Sequence, residues 1–303
     1  MTTIHPRRSV LYMPASNARA LEKAKTLNTD AMIFDLEDSV APEIKEAARL
    51  QAVATAKGGG YGEREVAIRT NALTTEWGEA DLKAAATAGA DAILLPKVNT
   101  PDDIATARKL LQEAGAPAEL PIWAMMETPF AIINAPSIAA EAKSPNNPLT
   151  AFIMGTNDLA KETRASVSGA RTAMKSWFST CVIAARAYGV DVIDGVFNNL
   201  DDHNGYRAEC IQGRLLGMDG KTLIHPAQIS TCNEIFSPTK EEIEWSRKLI
   251  AAFAAPENAG KGVLNVNGRM VERLHEEMAQ RVVGIADAIA ARKHAALQQN
   301  TAK

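Results

Sequence analysis

The sequence predicts an α/β fold, a closed (β/α)8 TIM barrel with a C-terminal helical extension. Three observations lead there. Short apolar runs alternate with longer amphipathic ones, eight such runs occur, and polar residues collect at their C-terminal ends. Strand, helix, strand in repetition means parallel strands joined by right-handed crossovers. Eight strands favour closure over an open doubly wound sheet. No GxGxxG opens the first helix, which argues against a dinucleotide-binding sheet.

In chain order the predicted strands are SVLYMPA (9–15), AMIFDLE (31–37), EVAIRTN (65–71), DAILLPK (91–97), PIWAMME (121–127), TAFIMGT (150–156), DVIDGVF (191–197) and GKTLIHP (220–226). Helices are predicted between them at ARALEKAKTL, EIKEAARLQAVATA, WGEADLKAAATAGA and PDDIATARKLLQEAG, where Ala, Leu, Lys and Glu dominate and Gly or Pro punctuates the ends. GGGYGE (58–63) precedes a strand, so it reads as a flexible loop. A phosphate cradle lies instead between a strand and a helix. After the eighth strand, EEIEWSRKLIAAFAAPENAG predicts a helix, GKGVLNVNGRMVE an extended or looped piece, and RLHEEMAQRVVGIADAIAARK a final helix. The expected organisation is a catalytic barrel over 1–236 and a helical lid or oligomerisation segment over 237–303.

Composition sets the outer bounds. With 303 residues, 46% hydrophobic and 23% charged, the chain suits two modest domains or one large α/β domain. A formal net charge of −3 gives no support for a nucleic-acid or anionic-membrane partner, so any bound anion must be caught by a local basic site. Cys181, Cys210 and Cys232 are odd in number and form no CxxC, which predicts reduced core thiols in a cytoplasmic protein. The N-terminal MTTIHPRRSVLYMPAS lacks the apolar core of a signal peptide, and no apolar run is long enough to span a membrane.

The functional signal is positional. Nearly every predicted strand ends in a polar residue: Glu37 and Asp38, Arg69 and Asn71, Lys97, Glu127, Thr156 with Asp158, Asp194, His225. In a parallel barrel these ends and the following loops form the active-site face. Strand periodicity puts Phe34 and Leu36 on one face and Ile33, Asp35 and Glu37 on the other; Trp123, Met125 and Glu127 align likewise, as do Ala67, Arg69 and Asn71. Glu37, Asp38, Arg69, Lys97, Glu127 and Asp158 are thus expected to converge on one mouth. The bland alternative is that each acid is salt-bridged to Arg69 or Lys97. Four acids facing two bases still leave an excess of negative charge, which a divalent cation offsets.

Residue types narrow the metal. There is no HExxH, no Cys/His cluster and no paired His at helical spacing, so zinc and non-haem iron fit poorly. Oxygen-only ligation fits Mg2+, with Mn2+ as a substitute. A cation beside Arg69 suits an anionic substrate whose carbonyl oxygen gains charge on becoming an enolate. Asp35 is read as a structural acid or an orienter for Arg69. His225 is expected to order the loop before Pro226, His203 and His275 to lie on the surface, and His5 in a frayed terminus. No GxSxG occurs, and Ser9, Ser16 and Ser39 lack an assignable base, so a serine triad has no support. Arg7, Arg8, Arg19, Lys23 and Lys25 cluster near the first strand and helix. They read as a solvated face or as a grip, through Arg8, Arg19 and Lys23, on a phosphorylated handle such as coenzyme A.

RSVLYMPASNARALEKA, IFDLEDSVAP, AIRTNAL, ILLPKVNTP, AMMETPFAI, MGTNDLAKE and GKTLIHPAQ, in that order, resemble the citrate lyase β-subunit-like branch of the HpcH/HpaI aldolase family, in particular its malyl-CoA lyase and thioesterase members. The similarity runs from about Arg8 to about Ile289. The resemblance implies a Mg2+-binding barrel that acts on short hydroxyacyl-CoA thioesters as a trimer or a pair of trimers. It implies Glu127 of METP and Asp158 of GTND as metal ligands, with Glu37 and Asp38 holding metal-bound water or neighbouring side chains. Arg69, Asp38 and Glu272 are the implied catalytic residues, Arg69 binding the substrate's carboxylate or carbonyl oxygen. In the family's CoA lyases an acid from the C-terminal segment completes the site from a neighbouring subunit. Here VNGRMVERL departs from that motif, with Asn267 in place of one Asp and Glu272, a methylene longer, in place of the catalytic Asp. The expectation is carbon–carbon cleavage of a malyl-, methylmalyl- or citramalyl-CoA to a 2-oxo acid and a short acyl-CoA. Hydrolysis of the thioester in the same site is the alternative, and the thioesterase-type members share the Glu. A phosphoenolpyruvate-type barrel enzyme, suggested by GTNDL, and a non-autonomous lyase subunit rank below these.

Overall fold

The computed structural model describes residues 4–144 and 148–301. Eight parallel strands close into a barrel in sequence order, with β8 returning to β1. They are β1 Ser9–Pro14, β2 Ala31–Asp35, β3 Glu65–Arg69, β4 Ala92–Leu95, β5 Ile122–Met126, β6 Leu149–Met154, β7 Asp191–Asp194 and β8 Gly220–Leu223. The surrounding helices include α1 Ala18–Ala24, α2 Lys45–Gly58, α3 Gly78–Ala85, α4 Pro101–Glu113, α5 Pro129–Ile133, α6 Ala135–Ala140, α7 Thr156–Thr163, α8 Ser168–Arg171, α9 Lys175–Tyr188, α10 His203–Leu215 and α11 Ile229–Phe236.

Alternation sorts each strand as expected. Val10, Ile33, Ala67, Leu94, Trp123, Met125, Ala151 and Ile153 fill the barrel interior, while Met32, Phe34, Ile68, Ile93 and Phe152 pack outward against the helices. The strands stop one to three residues short of the predicted ends. Glu37, Lys97 and Glu127 therefore stand in the loops just past β2, β4 and β5, where no ladder holds them and their side chains take the direction their partners dictate. Register pairs Asp35 with Arg69 across β2 and β3, which sets two opposite charges side by side on the inner face.

The N-terminal end of the barrel is closed by ion pairs. Arg7 donates to both Glu65 oxygens, at 2.7 and 2.8 Å, and to Asp191 at 2.8 Å, and its guanidinium lies 5.1 Å from the Trp123 ring centre. Arg8 corrects an expectation. It is buried and donates to both Asp30 oxygens, at 2.7 and 2.8 Å, beside the start of β2. A guanidinium closed on its own carboxylate at this end of the strands is not available to a coenzyme handle at the other. Asp194 ends its strand in the same way but does not join the mouth. It points outward from β7 beneath α10, where Lys221 and Arg171 hold it at 3.0 and 2.6 Å. Alternation explains this, since its neighbour Ile193 takes the inward position.

The chain divides into two compact units, Arg7–Phe236 and the segments on either side of it. In the second unit, Thr239 and Glu242 form a capping box that starts α12 Lys240–Ala254, and the helix ends ahead of Pro256 rather than running to 260. The extended piece is a hairpin, β9 Val263–Val266 and β10 Arg269–Glu272. Asn267 and Gly268, at φ 53° and 79°, make its turn, the left-handed pair that such a two-residue connection requires. The long α13 Arg273–Thr301 follows. Among the described residues no helix is long and apolar enough to cross a membrane, and Cys181, Cys210 and Cys232 are all buried.

Candidate active site

The C-terminal strand ends gather the predicted polar set. Arg69, at the end of β3, donates from Nε and Nη2 to the two Asp35 oxygens at 2.6 and 2.7 Å. Its Nη1 lies 2.7 Å from Glu37 Oε2, without hydrogen-bond geometry, and 3.4 Å from Asp38 Oδ2. Asp35 also accepts from the Glu37 and Ser39 backbone N–H groups, so it fixes both the arginine and the acidic loop after β2. Burial opposes ionisation of Asp35, but the Arg69 guanidinium overcomes it and holds the carboxyl below the usual range.

Glu37 behaves differently. Burial pushes its carboxyl up to about 8 despite Arg69, with Glu127 and Asp38 adding repulsion. Asp38 is the acid turned to solvent, its side chain 67% exposed.

Glu127 and Asp158 share a second cation. Glu127 is fully buried past the end of β5, and Asp158 sits in the first turn of α7, where the helix dipole favours a carboxylate. Lys97 Nζ lies 3.5 Å from Glu127 and hydrogen-bonds Asp158. The lysine adopts φ 51°, which turns its backbone N–H onto Glu127 Oε1 at 2.8 Å. Such a conformation costs a non-glycine residue of order 1 kcal/mol, and it recurs at functional sites. Burial pushes the Glu127 carboxyl up, and Lys97 counters it only in part. Gly155 packs so closely that a Cβ there would fall 2.3 Å from Glu127 Cβ.

The predicted residues Arg69, Asp38, Glu37, Lys97, Glu127 and Asp158 thus meet in one mouth. Both expected salt-bridge sets form, yet five acids, Asp35 included, face two cations. Glu127 Oε2 is buried with no hydrogen-bond partner, an expensive orphan. An unpartnered hard oxygen beside surplus negative charge fits a hydrated Mg2+ with few protein ligands. Among the described residues no group of three or more His, Cys, Asp or Glu side chains is arranged to hold a metal ion.

Arg19 and Lys23 are exposed, four residues apart on α1, which starts at the mouth end of β1. Glu272 ends β10 in the second unit; it is exposed, and its backbone N–H donates to His275 Nδ1 at 3.0 Å. His225 Nδ1 accepts from the Ala227 N–H at 3.1 Å and orders the loop around Pro226. Sequence reasoning missed Tyr12 and Gly155. Tyr12 points inward from β1, and the Arg69 guanidinium lies 4.9 Å from its ring centre. The period-2 pattern of SVLYMPA, with Val10 and Tyr12 on one face, carried the signal. A cavity of about 100 Å3 opens beside Lys97, lined by Thr70, Asn71, Thr74, Asn99 and Asp103.

Residues 8–226 match the HpcH/HpaI aldolase/citrate lyase family. A (3S)-malyl-CoA thioesterase of Cereibacter sphaeroides (strain KD131) is 48% identical over 287 residues, covering 95% of this chain and 97% of that one. Citrate lyase subunit beta of Escherichia coli K12 is 33% identical over 273 residues, 88% of each chain. The CitE protein of Mycobacterium tuberculosis, solved with magnesium, acetoacetate and coenzyme A, superposes with a TM-score of 0.68 at 28% identity, covering 91% of this chain and 97% of that one.

Proposed function

The chain belongs to the HpcH/HpaI aldolase/citrate lyase family, and from that premise we propose that it is a magnesium-dependent thioesterase for a malyl-CoA-like thioester. The observation that carries the metal-dependent reading is the orphaned Glu127 Oε2 amid five acids and two cations. The 48% identity to a malyl-CoA thioesterase puts hydrolysis ahead of the lyase reading that the sequence alone ranked first. The 33% identity to a citrate lyase β subunit keeps carbon–carbon cleavage as the second reading.

Glu127 and Asp158 hold the metal, Mg2+ or Mn2+ in its place. Bound there, the ion supplies Lewis-acid charge for the substrate's oxygens. The residues of the chain do the rest. Arg69, locked by Asp35, presents Nη1 to a substrate oxygen. Asp38, exposed at the mouth and 3.4 Å from Arg69, takes the proton from the attacking water. Water adds to the thioester carbonyl carbon, the C–S bond breaks, and the proton passes to the thiolate of coenzyme A. Arg19 and Lys23 grip the coenzyme's phosphates. In the lyase reading the acid that protonates the released enolate is Glu272, which Glu272→Gln tests. We further propose a homotrimer or a hexamer.

Purified chain given malyl-CoA and Mg2+ decides between the two reactions. Free thiol with malate and no glyoxylate supports hydrolysis. Glyoxylate without free thiol overturns hydrolysis in favour of the lyase.

A further inference from the structure

Two hydrogen-bond donors in the mouth converge on an atom that accepts poorly. Tyr12 Oη lies 3.8 Å from Met125 Sδ, and Arg69 Nη1 lies 3.7 Å from the same sulfur. A thioether is a weak acceptor. Among the described residues it is nonetheless the only hydrogen-bond partner of the Tyr12 hydroxyl. The two donors are held together, since the Arg69 guanidinium lies 4.9 Å from the Tyr12 ring centre and is clamped from its other edge by Asp35. Register places Tyr12 opposite Ile33, two residues below the level at which Pro14 meets Asp35 on the same face. Burial, with Asp35, Glu127 and Glu37 nearby, raises the phenol's pKa, so the group stays a donor at any physiological pH. Arg69 Nη1 also faces Glu37 and Asp38, but the Tyr12 hydroxyl, aimed at a soft, neutral sulfur, is short of a strong acceptor, and beside a guanidinium an anionic oxygen fits best.

We propose that Tyr12 is a catalytic residue, its O–H pairing with Arg69 Nη1 to bind the thioester carbonyl oxygen as that oxygen gains negative charge. This rests on the acyl-CoA reading of the site. Charge falls on the same oxygen in both candidate reactions, as the tetrahedral adduct of hydrolysis or as the enolate released by carbon–carbon cleavage. The phenol keeps its proton throughout; it contributes a hydrogen bond that strengthens as charge develops.

Tyr12→Phe tests the assignment, because it removes the oxygen and leaves the ring against Arg69. The full chain is assayed with Mg2+ and malyl-CoA by free-thiol and glyoxylate release, alongside thermal midpoint and Mn2+ affinity. Wild-type turnover establishes the acyl-CoA reading independently; an inert wild type overturns that reading and the role built on it. With an active wild type, the proposal expects Tyr12→Phe to lower kcat about 100-fold, with KM within about threefold and thermal midpoint and Mn2+ affinity unchanged. An unchanged kcat overturns it. So does a raised KM at constant kcat, which marks a ground-state contact, or a lowered thermal midpoint, which marks a structural one.

Discussion

The two ends of the barrel use the same chemical groups to opposite ends. At the N-terminal end, Arg7 closes on Glu65 and Asp191, and Arg8 closes on Asp30. At the C-terminal end, five acids share two cations, a buried Glu127 oxygen has no partner, and two donors meet a thioether. Short hydrogen-bonded ion pairs seal the barrel floor. Mismatch at the mouth leaves charge and hydrogen-bonding capacity for a ligand, which is where a parallel barrel places its chemistry. The contrast separates a buried ion pair that holds a fold from one that awaits a substrate.

Breaking the floor should affect stability alone. Arg7→Met removes the guanidinium that both Glu65 oxygens accept from and is expected to cost about 3 kcal/mol in denaturant unfolding, with Mg2+ affinity retained by the folded fraction. Loss of metal binding in folded Arg7→Met would erase the distinction between the two ends.

The mouth should instead carry a pH signature. Glu37 is lifted from 4.5 to about 8 by burial, so between those values the folded state holds a proton that the unfolded chain has lost. Its contribution is complete below about pH 4.5 and lost as pH rises through about 8. Without Mg2+, the wild type should lose on the order of a few kcal/mol across that window relative to Glu37→Gln. Parallel curves for the two proteins would place Glu37 in water.

The smallest effect concerns the cation already between the metal acids. Lys97→Met removes the ammonium from Glu127 and Asp158, and Mg2+ should then bind severalfold more tightly in calorimetric titration. Weaker binding would show that Lys97 supports the ion rather than opposing it.

Much of this was legible in the sequence. Eight apolar runs gave the strand number and order, and period 2 put Ile33, Trp123 and Met125 inside and Phe34 and Leu36 outside. The mouth set was readable because polar residues follow apolar strands. What escaped depended on partners. Arg8 looked like a free cation beside Arg19, but Asp30, 22 residues on, claims it. Asp194 ended a strand like the others, yet alternation turns it to the outer layer, where Lys221 and Arg171 hold it. Period 2 could have turned Tyr12 inward with Val10, but nothing local in SVLYMPA reveals that Arg69 packs against it. Pairing across strands is a tertiary fact, and residue type alone does not name the partner.

Direct titration of metal tests whether the mouth's unbalanced acids form a divalent-cation site. Isothermal calorimetry of Mg2+, or Mn2+ by electron paramagnetic resonance, should show one site per chain in the wild type. Glu127→Gln should weaken it by at least about 100-fold with the thermal midpoint of the metal-free barrel preserved or raised, since the burial penalty on a carboxylate is gone. Undiminished metal affinity in Glu127→Gln, or a wild type that binds neither ion, would contradict the account.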